Sequence, residues 1–426
     1  MIIVAAAFVV FMLIGMPLAF AIGISGALFF LQHPELPFTI PVQVTVSQTQ
    51  NFALLAIPLF ILAGNLMNHA GVSERLLNLA SVLTGRLSGG LAQVSLALSA
   101  LMGGVSGSAI ADAAMQARML GDEMSQRGLP RPFAAAVLSF GAILTPIIPP
   151  GIGMILYGTI GQVSIGRLFA AGILPALCLW LALSVAVWLV SRRHGYPPER
   201  EYPLSWKARG AALRSGIWAL LFPVLLLFGL RMGVFTPSEI GAFAVVYALF
   251  LGLVIYRCLS VQGFGDALKG SLIDVGAVVF LIALSAVFSY GIVFERVPET
   301  IAQAILGLTD NLQLVMIMVV VLVIAVGFFI DATVLIIMLT PIFLPLIRQL
   351  DGDPVHFGMV FIIAATIGNF TPPVGAAMYA VCSIMKVSVG AYARSSIPLL
   401  TAVALATLLL IFVPELVLFI PNLLFR

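Results

Sequence analysis

Apolar runs of about 18–25 residues recur along the whole chain, and a helix needs roughly 20 such residues to cross a bilayer. The long runs cover 3–31, 50–68, 133–160, 168–190, 212–230, 237–256, 272–293, 356–384 and 395–421. Each predicts a membrane-spanning helix, so the fold class is all-α and polytopic. Two further apolar stretches, 91–117 and 312–347, are interrupted. Gly103-Gly104 and Ser106-Gly107-Ser108 break the first, while Gly327, Asp331, Pro341 and Pro345 punctuate the second. Each reads either as one helix or as a re-entrant hairpin that returns to the side it entered from. Irregular backbone at membrane depth is tolerated only when buried in protein or lining a wet cavity. The polar stretches 69–90 and 295–310 carry Glu74-Arg75 and Glu295-Arg296. They read either as arms lying along the membrane interface or as solvated loops.

Composition removes several function classes. Of 426 residues, 62% are hydrophobic and 9% charged, and the mean hydropathy is +1.17. Soluble domains carry about 25% charged residues. The formal charge of +3 comes from basic residues scattered over loops, which is no nucleic-acid footprint. Cys178, Cys258 and Cys382 fit neither a disulfide framework nor a metal site. No Walker motif is present, so ATP hydrolysis by this chain is not expected, nor is any cofactor. The run Ile2–Leu31 has no basic residue before it and exceeds the roughly 7–15 residues of a signal-peptide core. It is expected to persist as the first spanning helix.

Loop charge sets the orientation. The most basic loop, 191–215, holds Arg192, Arg193, Arg200, Lys207, Arg209 and Arg214, and the positive-inside rule makes it cytoplasmic. With both interrupted stretches taken as hairpins, only Arg167, Arg231, Arg296, Arg348 and Arg426 of the 20 Lys and Arg fall outside. If 91–117 crossed the membrane, Arg75 and Arg86 would join them. The bias therefore favours a cytoplasmic-side hairpin at 91–117 and a periplasmic-side hairpin at 312–347.

The chain also repeats itself at a spacing of about 220 positions. Pro17 matches Pro237, Glu74-Arg75 matches Glu295-Arg296, and Asp112 matches Asp331. TPIIPPGIGM at 145–154 aligns with NFTPPVGAAM at 369–378, placing Pro149 on Pro373 and Gly151 on Gly375. These matches predict a first repeat over 1–190, a cytoplasmic loop and connecting helix over 191–230, and a second repeat over 231–426. In the first repeat, helices 3–31 and 50–68, arm 69–90, hairpin 91–117 and broken helix 133–160 precede helix 168–190. In the second, helices 237–256 and 272–293, arm 295–310, hairpin 312–347 and broken helix 356–384 precede helix 395–421. The extra helix 212–230 makes the two repeats inverted. Inverted repeats place substrate and ion sites near the bilayer midplane, at broken helices.

Candidate chemistry concentrates there. A tip at SGSAIAD (106–112) frees amide N–H groups that attract an anion, and carbonyls that attract a cation. Asp112 within an apolar stretch is costly, which makes it a site candidate. Adjacent prolines in PIIPPGIG (146–153) and NFTPPVG (369–375) remove backbone donors, so the helix must unwind there. The freed carbonyls, with Thr145, Asn369 and Thr371, offer hard oxygen ligands for Na⁺. Asp331 sits in the corresponding GFFIDAT. Two intramembrane aspartates also raise an aspartyl hydrolase, although no protease motif accompanies them.

IGMPLAFAIGISG (14–26), GGVSGSAIADAA (103–114), PIIPPGIGMILYG (146–158) and GNFTPPVGAAMYA (368–380) together resemble the large, DctM-like membrane subunit of TRAP (tripartite ATP-independent periplasmic) transporters. The resemblance covers essentially the whole chain. It implies an elevator-type carrier of the bacterial inner membrane, with a fixed scaffold and a sliding transport domain that holds both hairpins and both broken helices. It implies Na⁺-coupled uptake of an organic acid, such as a C4-dicarboxylate, a sugar acid or a sialic acid. A periplasmic binding protein would deliver that acid, and a small four-helix membrane subunit would complete the scaffold. The site residues it implies are Ser106, Gly107, Ser108, Asp112, Pro149, Pro150 and Gly151 from the first half. From the second half it implies Gly327, Asp331, Asn369, Thr371, Pro372, Pro373 and Gly375. Ser106, Ser108, Asn369 and Thr371 are the side chains expected on Na⁺. Gly151 departs from the pattern, because a serine is frequent there. A stand-alone dicarboxylate or citrate carrier of the same superfamily is the alternative.

Overall fold

The computed structural model describes residues 2–425 other than 38, 201, 203 and 374, with the side chains of 2, 53, 106 and 376 left out. Arg426, counted above on the outer face, lies outside the described residues, and Ser106 is placed by its backbone alone. Among the described residues every regular element is helical. Six helices are long and apolar enough to cross a membrane: Ile165–His194, Trp206–Arg231, Pro237–Ile255, Val261–Phe294, Ala332–Gln349 and Val389–Phe412.

The first apolar run forms two helices rather than one, α1 (Ile2–Leu13) and α2 (Leu18–Gln32). Gly15 takes a φ of 83°, and Pro17 caps α2 without an N–H to continue the ladder. Helix α3 (Ile40–Thr49) was not expected; it buries no residue, and its Thr, Ser and Gln side chains keep its hydropathy low. After α4 (Ala56–His69), Gly71 turns the chain with a φ of 67° into α5 (Val72–Thr84). Val72, Leu76, Leu79 and Ala80 of α5 are buried at helical spacing, so the segment expected as an arm is an amphipathic helix.

Helices α6 (Leu91–Ser106) and α7 (Ala109–Gln126) form a hairpin with its tip at Gly107-Ser108. Its second arm continues past 117 into a polar turn carrying Asp122 and Glu123, which hydropathy could not follow. Next, α8 (Arg131–Gly141) tightens into a 3₁₀ turn and unwinds through 145–151 before α9 (Ile152–Gly161). Short α10 (Ile165–Ala171) leads into α11 (Ile173–His194), and α12 (Trp206–Arg231) connects the halves.

The second half runs α13 (Pro237–Phe250), α14 (Val261–Phe294) and α15 (Val297–Leu306). A hairpin follows, α16 (Leu312–Gly327) and α17 (Ala332–Gln349). Then α18 (Pro354–Asn369) unwinds at the second double proline before α19 (Ala376–Met385). The last apolar run divides into α20 (Val389–Phe412) and α21 (Glu415–Leu424), because Val413 leaves helical geometry ahead of Pro414. Corresponding pieces of the two halves match in length. The first arms, α6 and α16, both have 16 residues, the second arms 18, and α9 and α19 both have 10.

Two groups of helices pack internally. Helices α2, α3 and α4 pack on α14, and α4 also packs on α13. Helices α7, α8 and α9 pack with α17, α19 and α20. The hairpins open in opposite directions along α10–α11, a 30-residue segment of about 45 Å. At the base of the first hairpin, Arg127 donates to the Glu199 carbonyl at 3.4 Å, and a Cβ on Gly90 would lie 2.6 Å from the Glu199 nitrogen. Both contacts lie in the loop after α11. At the base of the second, Arg348 donates to the Gly161 carbonyl at 2.8 Å and Asp353 stands 3.7 Å from Arg167, where α10 begins. The two tips therefore point toward one another.

Candidate functional site

The tips and the unwound segments meet because glycine removes the side chains that would keep them apart. A Cβ on Gly107 would lie 2.9 Å from the Pro150 carbonyl, and one on Gly103 would lie 2.5 Å from Ile148 Cβ. The first hairpin is thereby seated on the first double-proline loop. On the other side, a Cβ on Gly368 would lie 2.6 Å from Gly327 Cα, so α16 and α18 touch backbone to backbone. The Gly375 N–H donates to the Phe328 carbonyl at 2.7 Å, which ties the second double-proline loop to the second tip. Pro149-Pro150 and Pro372-Pro373 both carry a cis peptide bond. Gly151 caps α9 with Pro146 O only 2.0 Å from where its Cβ would stand, so a serine there requires a different loop path.

Between these elements lies a cavity of ≈ 270 Å³. Its wall takes Gly107, Ser108, Ala109 and Ile110 from the first tip, and Pro146, Ile152 and Gly153 from the first break. Asp331, Ala332, Thr333 and Ile336 come from the second hairpin, and Ile362, Thr366 and Asn369 from α18. The first residues of α7, α9 and α17 all line it, so the positive ends of three helices converge on one space. Ser108 caps α7 by accepting from the Ala111 N–H at 3.4 Å.

The two aspartates occupy unlike places. Asp331 caps α17, accepting from the Thr333 N–H at 2.8 Å, and its other oxygen accepts from Asn369 Nδ2 at 3.0 Å while the residue lines the cavity. Asn369 is 2% exposed, and its Oδ1 accepts no hydrogen bond among the described residues. Asn369 lines the same space, and a buried lone-pair oxygen without a donor is suited to a cation. Asp112 is buried away from the cavity wall. It accepts from Ser99 Oγ at 2.9 Å, Thr145 Oγ1 at 2.9 Å and Gln116 Nε2 at 3.0 Å. These bonds join both arms of the first hairpin to the first broken helix.

The pairing of Asp112 with Asp331 shifts in the folded chain. Asp331 stands at the cap of α17 as Ser108 stands at the cap of α7, whereas Asp112 lies one turn further in. Of the other expected residues, Thr371 is buried and donates to the Ile367 carbonyl at 2.7 Å, Pro372 is half-buried and Pro373 exposed. None of these three lines the cavity. Ser99, Gln116, Thr333 and Thr366 were missed. Gln116 follows Asp112 by one helical turn, a spacing visible in sequence, but nothing local announces Ser99. Among the described residues the two aspartates share no hydrogen-bond partner.

Two hairpin tips closing a largely apolar cavity with a few polar groups, inside a multi-pass helical protein, describe a membrane carrier. The overall fold resembles that of the Alcanivorax borkumensis YdaH transporter, with a TM-score of 0.61 at 16% identity over 88% of this chain and 87% of that one. Residues 5–416 match the family described as "Tripartite ATP-independent periplasmic transporter, DctM component", and the chain belongs to that family. It is 34% identical to the 2,3-diketo-L-gulonate TRAP transporter large permease protein YiaN of Escherichia coli, covering 95% of each chain. It is 32% identical to the sialic acid TRAP transporter large permease protein SiaM of Vibrio cholerae, covering 96% of this chain and 95% of that one. It is accordingly a large permease subunit of the bacterial inner membrane and a transporter rather than an enzyme.

Proposed function

We propose that the protein carries out Na⁺-coupled uptake of an organic acid through an elevator movement, receiving the acid from a periplasmic binding protein and working with a small four-helix membrane subunit. The observation that carries this reading is the cavity in which both hairpin tips and both interrupted helices meet. Converging helix N-termini favour a carboxylate, while Asp331 in the same wall repels one. A cation held by Asp331, the Asn369 Oδ1 and nearby carbonyls removes that conflict, so acid and Na⁺ each make the other's binding favourable. Coupling then follows from electrostatics in one small space. A volume of ≈ 270 Å³ is just under the roughly 300–1,000 Å³ of ordinary ligand pockets and suits a small acid such as a C4-dicarboxylate or sugar acid more closely than a sialic acid.

The grouping of helices supports the movement. Helices α2–α4 with α13 and α14 form a candidate scaffold, and the hairpins, the broken helices and α20 form the candidate moving unit. The matched arm lengths and opposed openings support reading the halves as inverted repeats, with each hairpin re-entrant from its own side of the membrane.

The test is uptake by proteoliposomes containing this subunit, its small partner and the cognate binding protein. Uptake is expected only with an inward Na⁺ gradient and the loaded binding protein present. Equal uptake of free acid without Na⁺ would overturn the proposal. Uptake that needs Na⁺ but no binding protein would favour the stand-alone carrier.

A further inference from the structure

Away from the central cavity, a second concavity of ≈ 710 Å³ opens between α5, the start of α12 and Ile255-Tyr256, a few residues past α13. Arg75, Lys207 and Arg214 line it, with Ser215, Trp218 and Tyr256. Arg75 is held in place: its guanidinium stacks over the Tyr256 ring at 3.9 Å and donates to the Gly71 carbonyl at 2.8 Å. Tyr256 is fixed in turn by donating to the Ser215 carbonyl at 2.9 Å. Lys207 and Arg214 lie seven residues apart on one face of α12 and are exposed. Among the described residues none of the three cations forms an ion pair. Three positive charges thus face one concave space, and no carboxylate lines it among the described residues.

The surface below is apolar. Directly beneath Arg214, at helical spacing, Ile217, Leu221, Val224 and Phe228 form an exposed stripe along α12. Val246, Phe250 and Leu253 expose a parallel stripe beside it, and Trp218 bridges the two by meeting Phe250 at 6.5 Å between ring centroids. A soluble anion would use the cations and leave the stripes unused, and so would an acidic protein segment. An amphiphile with an anionic head uses both. The charge-rich loop at the start of α12 is the one that orientation by loop charge places in the cytoplasm, where the leaflet is attractive to basic residues.

We propose that this cleft binds an anionic glycerophospholipid of the inner leaflet, its phosphodiester held by Arg75, Lys207 and Arg214 and its acyl chains lying along α12 and α13. The lipid would pin the α5 arm to the connecting helix.

The experiment uses the full chain in nanodiscs of phosphatidylethanolamine mixed with phosphatidylglycerol, with retained lipids identified by native mass spectrometry. Wild type is expected to retain phosphatidylglycerol in preference to phosphatidylethanolamine. The K207Q/R214Q double variant removes two exposed charges that make no hydrogen bond within the described chain, and should lower that preference roughly thirtyfold. The charge-keeping K207R/R214K variant should preserve it, and excess inorganic phosphate should not displace the lipid. Equal retention of the two lipids by wild type, or an unchanged preference in K207Q/R214Q, would overturn the proposal. Displacement by inorganic phosphate would replace it with a soluble-anion site. Substrate uptake plays no part in the readout, so this result stands apart from the transport reading.

Discussion

Asp112 and Asp331 are the same residue type beside two hairpin tips, and their surroundings divide the work between them. Three side-chain donors saturate Asp112, whereas Asp331 faces the cavity next to an unsatisfied oxygen of Asn369. Asn caps helices about as well as Asp, so Asp331→Asn should keep the cap on α17 while removing the charge and the acceptor that faces Asn369 Nδ2. Under the transport proposal, the Na⁺ concentration for half-maximal uptake should rise about tenfold, the loss of one charge-assisted contact of roughly 1.5 kcal/mol. Asn369→Ala should move it the same way, and an unaltered Na⁺ dependence in both variants would take these side chains out of the ion site. Thr145→Val leaves Asp112 one donor short and should cost about 1.5–3 kcal/mol of stability. It should appear as a lowered thermal midpoint in detergent with the Na⁺ dependence unchanged; a shifted Na⁺ dependence would instead give Asp112 a direct part in ion binding. At this scale the sequence showed which residues were costly to bury but not what faced them. Ser99 lies on the opposite arm, and only the fold brings it to Asp112.

Among elements, hydropathy found the long spans and the double-proline breaks, because both depend on local chemistry. It misjudged segments where apolar character persists through a backbone stop, as at Gly15-Pro17 and Pro414. It also missed α3, which is helical without being strongly apolar. The Asp112–Asp331 match slipped by one turn because two apolar helices aligned without gaps tolerate such a slip, and only the caps at Ser108 and Asp331 fix the register. Contact between the second hairpin and α18 depends on paired glycines that sequence could flag only as a break. A methyl on Gly368 would sit 2.6 Å from Gly327 Cα. Gly368→Ala should therefore destabilise the protein by about 1–3 kcal/mol through forced separation of α16 and α18. A thermal midpoint equal to wild type would show that the two helices separate at little cost.

Across the whole molecule, the ties between the two halves include one built on a histidine. His33, just past α2, stands 2.8 Å from Glu35 and 3.4 Å from Glu295 at the end of α14. The neighbouring Glu35 carboxylate, and after it Glu295, raises the His33 pKa above its ordinary value, while Glu35 and Glu295 are both lowered. A raised histidine contributes stability that is fully present below its unfolded pKa of about 6.5 and fades as pH climbs through the folded value. Wild type should therefore melt higher than His33→Gln at about pH 6, and the gap should narrow as the pH rises above that. A gap independent of pH would assign the effect to packing of the ring against Phe29 instead.

The equal arms of the two hairpins, 16 and 18 residues in each copy, have an electrical consequence. Under the transport proposal, with each hairpin re-entrant from its own face, tips on arms of equal length come to rest at equal depth from both faces, so an ion held between them would have crossed about half of the membrane voltage. One charge moved through 100 mV is worth about 2.3 kcal/mol, and half of that acts on Na⁺ arrival before any movement of the carrier. Under the transport proposal, a more negative cell interior should do more than speed turnover. It should also lower the Na⁺ concentration at which uptake is half-maximal, so that membrane voltage and the sodium gradient are read at the same place.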